Sequence, residues 1–332
     1  MSSADINTVC SLSSGAAAAD TARNMPLILI LLPVFNGERY LAEQLDSIFA
    51  QSHKNILLVC RDDCSSDASA AILSHYLTVH SENMRLLEDT LGNQGASGSF
   101  SVLMQWALKY MQSSPQKVYV ALADQDDIWH GDKLTCSLQV MTAADDGLVP
   151  VLVHSDLNVV DKHGQLISPS LMAYQGLDPA RTGFPAQLVS NTVTGCTVLM
   201  NQALLHKALP VPADAVMHDW WLSLVASCFG QLLFIDKSLV DYRQHGSNTL
   251  GARAHTPATF SLRAFPKLLQ FKQSPDAQRL FEQAAAQAAA FQNRHKNEIP
   301  VQHQQRLHNV MRLPRLGLWG QRVLFRQLRR RN

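Results

Sequence analysis

The segment ADQDDIW, residues 123–129, carries three closely spaced carboxylates, Asp124, Asp126 and Asp127. It directly follows the apolar residues 118–122, which predict a buried strand. Carboxylates crowded at the end of such a strand repel one another and lose solvation, and a hard divalent cation with oxygen ligands relieves both costs. Because Asp is also a common turn residue, a solvated acidic turn is the alternative.

Two other turns place polar side chains at the ends of predicted strands. The apolar residues 27–33 lead into a turn that contains Asn36, and the apolar residues 55–60 lead into one that contains Asp62 and Asp63. Strands are also predicted at 84–87 and 117–122, with helices at 38–51, 68–76 and about 100–110. This alternation predicts a parallel sheet with helices on both faces, where ligands bind beyond the carboxyl ends of the strands.

The rest of the chain is less regular. Apolar runs at 151–160, 192–200 and 232–235 alternate with helical segments at 204–209 and 217–228. Beyond about residue 255 the pattern is helical and rich in Gln, Ala and Arg. We therefore predict a flexible leader over 1–24, a main domain over 25–254 and a basic helical C-terminal extension over 255–332.

Composition is that of an ordinary globular protein. Of 332 residues, 46% are hydrophobic and 17% are charged, and the formal net charge of +1 gives no global attraction to nucleic acid. Six cysteines without a Cys-x-x-Cys pair argue against a zinc ribbon or a disulfide framework and favour reduced thiols in a cytoplasmic protein. No apolar run approaches the ~20 residues that cross a bilayer.

Six segments resemble, in order, the motifs of the family 2 glycosyltransferases, and within that family they look nearest to bacterial rhamnosyltransferase-like members. They are LPVFNGERYLAEQLDSI (32–48), RDDCSSD (61–67), DQDDIW (124–129), DKL (132–134), HDWW (218–221) and YRQHGSN (242–248). The resemblance implies a GT-A fold, the Rossmann-like α/β fold of nucleotide-diphospho-sugar transferases, with a mixed sheet flanked by helices. The Gln-x-x-Arg-Trp motif of processive relatives is absent, so we expect one sugar per encounter.

The activity that the resemblance implies is an inverting, metal-dependent sugar transfer. The expected donor is dTDP-rhamnose or a UDP-sugar, and the expected acceptor is a hydroxyl of a saccharide or a lipid-linked acceptor in the synthesis of a cell-surface polysaccharide. Two other classes remain open: a sugar-nucleotide-binding or assembly protein without catalysis, and a nucleotidyltransferase. The second would require a Gly-rich, basic phosphate loop near the first strand, where the chain has PVFNG.

The resemblance also assigns residues to the donor. Asp63 corresponds to the carboxylate that accepts the N3–H of uracil or thymine, although it can instead cap the following helix. Pro33, Phe35 and Asn36 lie in the turn that contacts the nucleotide sugar. Asp124 corresponds to the first acid of the Asp-x-Asp motif, which faces the ribose and the metal.

The metal and phosphate groups are assigned in the same way. Asp126 corresponds to the metal-binding aspartate of the family, with Asp127 in a supporting role. Mg²⁺ or Mn²⁺ there would bridge the two phosphates and stabilise the leaving nucleoside diphosphate. His245 is expected near the metal or the diphosphate, and Arg243 is expected to pair with phosphate. A structural role is the alternative for His245.

Asp219 corresponds to the general base that takes the proton of the acceptor hydroxyl. One base and direct displacement invert the anomeric centre. Trp220 and Trp221 are expected to support the site, since aromatic faces commonly line sugar sites. The alternative is that Asp219 is the N-cap of its helix.

Two departures from the family pattern are visible, and neither touches an expected ligand. Cys64 stands where the family usually has Gly, so this turn carries strain or a different backbone angle. His130-Gly131 replaces an apolar-Pro pair.

The C-terminal residues 311–332 mix apolar side chains with arginines and contain no acidic residue. Such a basic amphipathic segment is typical of helices that lie on an anionic membrane surface, and this would place a cytoplasmic enzyme peripherally at the inner face of the cell membrane. The alternative is a helix packed on the main domain with solvated arginines.

Overall fold

The computed structural model describes residues 25–245 and 275–328. Its strands are β1 (Leu27–Val34), β2 (Ile56–Asp62), β3 (Met84–Leu86), β4 (Val118–Leu122), β5 (Ile128–Trp129), β6 (Val151–Val160), β7 (Leu166–Ser168), β8 (Leu199–Met200) and β9 (Gln231–Arg243). Its α-helices are α1 (Leu41–Phe49), α2 (Ser69–Val79), α3 (Gly95–Ser113), α4 (Lys133–Ala144), α5 (Leu171–Gln175), α6 (Phe184–Gln187), α7 (Gln202–Ala208), α8 (His218–Phe229), α9 (Pro275–His295), α10 (Val301–Arg312) and α11 (Leu318–Leu328).

The strands form one mixed sheet in the order β3-β2-β1-β4-β8-β6-β9-β5, with β7 added to β6. Strands β3, β2, β1 and β4 are parallel, as are β6 and β9, whereas β8 runs antiparallel to both β4 and β6. The parallel half and the flanking helices agree with the sequence prediction. The carboxyl ends of β1, β2 and β4 consequently lie side by side along one edge of the sheet.

Strand β1 shows why the parallel strands read as continuous apolar runs. Its alternate residues Leu27, Leu29 and Leu31 enter one hydrophobic core, and Ile28, Ile30 and Leu32 enter the other. Both faces of the sheet are covered by helices, so neither set meets solvent. Because β1 is packed on both faces and paired on both sides, the turn that follows it starts from a well-defined position.

Helix α3 begins at Gly95, five residues before the predicted start near residue 100. The carboxylate of Asp63 accepts the backbone N–H groups of Gln94 and Gly95, at 2.8 and 2.9 Å. These are N–H groups that a helix cannot satisfy by itself at its first turn. A side chain from the end of β2 thus supports the start of α3, which a local sequence pattern does not reveal.

Strand β9 is also longer than the predicted segment 232–235, since it continues to Arg243. It pairs with β6 in parallel, and the register jumps so that Ile235 faces Ser155 while Ser238 faces Asp156. The polar residues Asp236 and Lys237 occupy this irregularity. The bulge explains why a strand of thirteen residues looks in the sequence like a short one.

The helices of the C-terminal region share the hydrophobic core of the sheet domain. Phe291 of α9 lies 5.6 Å from Trp221 of α8 and 5.2 Å from Phe184 of α6, measured between ring centroids. Arg294 donates a 2.7 Å hydrogen bond to the carbonyl oxygen of Leu209. The predicted leader (1–24) and the predicted boundary near 255 lie outside the described residues, and no helix within the described ones is long and apolar enough to span a membrane.

Candidate active site

A cavity of about 1150 Å³ opens at the carboxyl ends of β1, β2 and β4. It brings together eight of the residues predicted from the sequence to serve the site: Pro33, Phe35, Asn36, Asp63, Asp124, Asp126, Asp219 and His245. These residues come from five separate parts of the chain. The volume is of the size that holds a ligand as large as a cofactor.

The turn after β1 forms one wall of the cavity. Asn36 has a φ of 49°, a left-handed conformation that Asn tolerates better than most residues. Its side-chain oxygen accepts the backbone N–H of Ser66 at 2.8 Å, which ties this turn to the turn after β2. Phe35 is 47% exposed at the cavity, so a large apolar ring is held open to a ligand.

Asp63 lies at the end of β2, and its carboxylate is almost fully engaged within the protein. Arg61 forms an ion pair with it, and the N–H groups at the start of α3 occupy further acceptor positions. Arg61 also binds Asp89 at 2.7 Å and the carbonyl oxygen of Gly92 at 2.8 Å. Asp63 therefore does not cap α2, the alternative left open by the sequence. Asp67, which precedes the N-cap Ala68, instead accepts the N–H of Ser69, the first residue of α2, at 2.9 Å.

The acidic turn after β4 concentrates negative charge beside the cavity. Burial, with the neighbouring carboxylates of Asp126 and Asp219, raises the pKa of Asp124 to about 7. Burial and the carboxylates of Asp126 and Asp124 raise the pKa of Asp127 well above its ordinary value. Asp127 is fully buried, and its Oδ2 atom has no hydrogen-bond partner. Burial and mutual repulsion both favour the protonated forms of these carboxylates, and a bound cation would stabilise their ionised forms.

The groups available to a divalent cation are of the right chemical type. His245 Nε2 lies 2.7 Å from Asp126 Oδ2, and both side chains line the cavity. Asp124, Asp127 and Cys196 form a second group, whose ligand atoms lie within 4.8 Å of one another. Carboxylate oxygens with one imidazole nitrogen fit Mg²⁺ or Mn²⁺. Of the two groups, the pair of Asp126 and His245 faces the cavity more directly, because Asp127 and Cys196 are fully buried.

The environment of Arg243 corrects the expectation that its guanidinium pairs with phosphate. The residue is only 3% exposed, and its guanidinium binds Glu43 at 2.5 Å and the carbonyl oxygen of Asp126 at 3.1 Å. Its backbone N–H donates to Asp127 at 3.2 Å. Arg243 stabilises the acidic turn through these contacts, and its guanidinium already forms an ion pair with Glu43.

Asp219 lies in the first turn of α8 rather than at its N-cap, which is Met217. Its Oδ1 atom accepts the backbone N–H of Trp220 at 2.5 Å and the side-chain amide of Asn191 at 3.3 Å. Burial raises the pKa of Asp219 to about 6. A carboxylate with a pKa in this range, at the wall of a cavity, has the properties of a general base at neutral pH.

The two tryptophans that follow Asp219 do not line a sugar site, contrary to the expectation from the sequence. Trp220 and Trp221 are 5% and 0% exposed, and their indole N–H groups donate to the carbonyl oxygens of Gln187 and Ala208. Helix α8 is buried against α6, α7 and α9, so its aromatic residues point into the core. Their support of the site is indirect, through the position of α8.

Several residues of the site were not singled out in the sequence. Arg61, Asn191 and Cys196 contact Asp63, Asp219 and Asp127 respectively. Arg61 had a local signal, since an arginine directly after an apolar strand and before two aspartates is placed to neutralise them. Asn191 and Cys196 had none, because they lie far along the chain from the residues they contact.

The two departures from the family motifs have clear structural consequences. Cys64 has a φ of 68°, so the turn keeps a left-handed conformation that favours glycine while carrying a side chain. His130 pairs with Asp241 of β9 at 2.8 Å, which links the loop before α4 to the sheet.

Comparison with known proteins identifies the family of this chain. The family model described as Glycosyl transferase family 2 matches residues 29–207, more than half of the chain. The chain is 27% identical over 224 residues to a putative teichuronic acid biosynthesis glycosyltransferase, TuaG, of Bacillus subtilis, covering 66% of this chain and 79% of that protein. It is 23% identical over 242 residues to the dTDP-rhamnosyl transferase RfbG of Shigella flexneri, covering 69% and 76%. By contrast, the match covers only 31% of an uncharacterized glycosyltransferase of Rickettsia bellii.

Among solved structures, residues 1–349 of TarS from S. aureus, in complex with UDP-GlcNAc, resemble this chain with a TM-score of 0.53. The alignment covers 92% of this chain and 90% of the other, at 14% identity. At such low identity the likeness concerns the fold, and it supports the GT-A architecture expected from the sequence motifs.

Proposed function

The chain belongs to glycosyl transferase family 2, and from that premise we propose that it transfers a single sugar, with inversion, from a nucleotide-diphospho-sugar to an acceptor hydroxyl. We further propose dTDP-rhamnose or a UDP-sugar as the donor. The acceptor would be a saccharide or a lipid-linked acceptor in the synthesis of a cell-surface polysaccharide. The name of the relative from B. subtilis, a putative teichuronic acid biosynthesis glycosyltransferase, supports the pathway, and the name of the relative from S. flexneri, a dTDP-rhamnosyl transferase, supports dTDP-rhamnose as a donor.

One observation carries the proposal: a carboxylate suited to each step of the transfer opens on the same cavity. Asp63 serves the nucleotide base through Oδ2, which accepts one N–H from the protein, that of Gly95. Asp124 and Asp126 serve the ribose and diphosphate, and Asp219 serves the acceptor. A binding protein without catalysis would not need a buried carboxylate of raised pKa at the acceptor end. A nucleotidyltransferase would need a basic phosphate loop after β1, where the chain has Pro33 to Gly37.

We propose that Asp126 and His245 hold a divalent cation, Mg²⁺ or Mn²⁺, with Asp124 and Asp127 in support. When bound, the cation neutralises the diphosphate and stabilises the departing nucleoside diphosphate. Phe35, Pro33 and Asn36 contact the nucleotide, and Arg243 keeps the acidic turn in place.

Asp219 acts as the general base in this proposal. Its raised pKa gives it enough basicity to accept the proton of the acceptor hydroxyl as that oxygen attacks the anomeric carbon. The hydrogen bond from Asn191 orients the carboxylate. Because one base acts in a single displacement, the product has the opposite anomeric configuration.

A thermal-shift screen tests the donor site. UDP-, dTDP- and GDP-sugars are each added with and without Mn²⁺, and a donor at 100 times its Kd should stabilise the protein by about 2.7 kcal/mol. The variant Asp126→Asn should lose the Mn²⁺-dependent part, whereas Asp236→Asn, an exposed aspartate on β9, should retain it. If no nucleotide sugar stabilises the wild-type protein, the proposed nucleotide site is wrong.

Transfer itself is tested by product analysis. Nucleoside diphosphate released only when an acceptor is present identifies a transferase, pyrophosphate identifies a nucleotidyltransferase, and neither product identifies a binding protein.

We also propose that the enzyme is cytoplasmic and meets the inner face of the membrane through 311–332. On α11, Trp319 and Val323 are 81% and 52% exposed and lie one turn apart, with exposed Arg326 on the same face. No acidic residue follows Glu298. An exposed tryptophan beside arginines is suited to the interface of an anionic bilayer.

Sedimentation with liposomes tests this contact in the full chain. The double variant Trp319→Ser/Val323→Ser should lose binding to vesicles with anionic lipid, while Val301→Ser, at an equally exposed position on α10, should keep it. Point variants are preferred to truncation because Leu313 and Leu328 belong to the hydrophobic core. Equal sedimentation of all three proteins would remove the membrane proposal.

A further inference from the structure

Gln125, the middle residue of the Asp-x-Asp motif, forms a paired hydrogen bond with the turn after β1. Its Nε2 donates to the carbonyl oxygen of Phe35 at 3.0 Å, and its Oε1 accepts the N–H of Phe35 at 2.8 Å. The side-chain amide thus contacts both polar groups of one backbone residue, 90 positions away in the chain. It bridges the ends of β1 and β4, the two adjacent strands from which these turns emerge.

Gly37 provides the space that this contact requires. A Cβ atom placed on Gly37 would lie 2.5 Å from Oε1 and 2.7 Å from Cδ of Gln125, which is closer than non-bonded atoms approach. Gly37 does not have a positive φ, so its backbone does not itself require glycine. Its N–H donates to Ser69 at 2.8 Å, so the backbone at this position is held and cannot easily withdraw.

We propose that Gln125 is a positioning residue that couples the nucleotide-contacting turn to the metal-binding turn, and that Gly37 is required because the amide of Gln125 fills the space beside it. The inference rests on the proposed function, since it assigns Phe35 to the nucleotide and Asp126 to the metal. The bridge holds these two contacts at a fixed separation, as a donor with both a base and a diphosphate requires.

The chemistry of the bridge limits the side chains that can form it. It needs one donor and one acceptor at the end of a side chain with two methylene groups. Glutamate has the same length but offers only acceptors when ionised, so it would face the carbonyl oxygen of Phe35 without a proton to donate. Asparagine has the right groups but is one methylene shorter.

The test combines four variants with two readouts, the melting temperature and the steady-state kinetics of transfer. Gln125→Glu should raise the KM for the donor roughly fivefold or more through the loss of one hydrogen bond, with kcat changed less. Gly37→Ala should show a similar donor defect because its methyl group displaces the amide. The double variant Gly37→Ala/Gln125→Ala should be no worse than Gln125→Ala, since the clashing atoms are then absent.

Matched controls separate the bridge from general effects of the substitutions. Gln105→Glu makes the same charge change at an exposed position of α3, and Gly131→Ala adds a methyl group whose nearest contact would lie at 3.9 Å. Both should keep the wild-type donor KM.

Two results would overturn the inference: a Gln125→Glu enzyme with the donor KM of the wild type, or defects of Gly37→Ala and Gln125→Ala that add in the double variant. Failure of the proposed function is distinguishable, because the wild-type protein itself would then transfer no sugar. In that case a non-additive melting temperature would still show the steric pairing of Gly37 with Gln125, and the functional part of the inference would fall.

Discussion

The pH dependence of sugar transfer should report the protonation of Asp219. Its pKa is raised from 3.8 to about 6 by burial, and its hydrogen bonds oppose part of this rise. Since a general base must be deprotonated, kcat should be nearly constant above pH 7 and should fall about tenfold per unit well below pH 6. The assay uses saturating donor and Mn²⁺. The acidic fall in kcat then reports the enzyme with donor and cation bound, in which the carboxylates near the cation are already ionised.

Two variants show how large the effect of Asp219 on kcat should be. Asp219→Asn keeps the shape of the side chain but removes the base, so kcat should fall by about 10²- to 10⁴-fold and the acidic limb should disappear. Asn191→Leu removes the amide that donates to Asp219 at 3.3 Å. A hydrogen bond to a charged group contributes about 1.5 kcal/mol, and this should move the limb upward by roughly one pH unit.

The pH dependence of protein stability provides an independent check on the direction of the pKa change at Asp219. The pKa of Asp219 in the folded protein, about 6, lies above the ordinary value of 3.8, so the ionised form destabilises the folded state by about 3 kcal/mol. This cost is fully present above about pH 6 and absent below about pH 4. Asp219→Asn should therefore melt at a higher temperature than the wild type at pH 8, and the difference should vanish as the pH falls to 4.

The reasoning would be refuted by an Asp219→Asn enzyme that retains most of its activity, or by an acidic limb that Asn191→Leu leaves in place. Asp236→Asn, an exposed aspartate on β9, serves as the control and should reproduce the wild-type profile.

Three further predictions concern the turns and the cation. Cys64→Gly should stabilise the protein by about 1 kcal/mol in urea unfolding, because Cys64 has a φ of 68°, and Cys64→Ser should bring no such gain. Arg61→Met should destabilise by about 3–5 kcal/mol, since it leaves Asp63 buried without its ion pair, whereas Arg85→Met on the exposed face of β3 should cost far less; equal losses would contradict the assignment. Chelation with EDTA should abolish both transfer and the thermal shift caused by the donor, and added Mn²⁺ should restore both; donor binding that survives chelation would argue against the cation at Asp126.

The sequence determined the parallel half of the fold and the carboxylates at its edge. Strands such as β1 are buried on both faces, so they appear as unbroken apolar runs whose ends are marked by polar turns. Since parallel strands end at the same edge, the order of Asn36, Asp63 and Asp124 in the sequence was enough to predict that they meet. These are consequences of local pattern and of one rule of sheet geometry.

Only the tertiary structure decided how those carboxylates are held and which neighbours are free for a ligand. Trp220 and Arg243 looked suited to a sugar and a phosphate, yet one is packed in the core and the other binds Glu43. The start of α3 depends on Asp63, and the turn at Phe35 depends on Gln125. Each of these contacts joins segments far apart in the chain, and side-chain direction and long-range packing leave no periodic trace in the sequence.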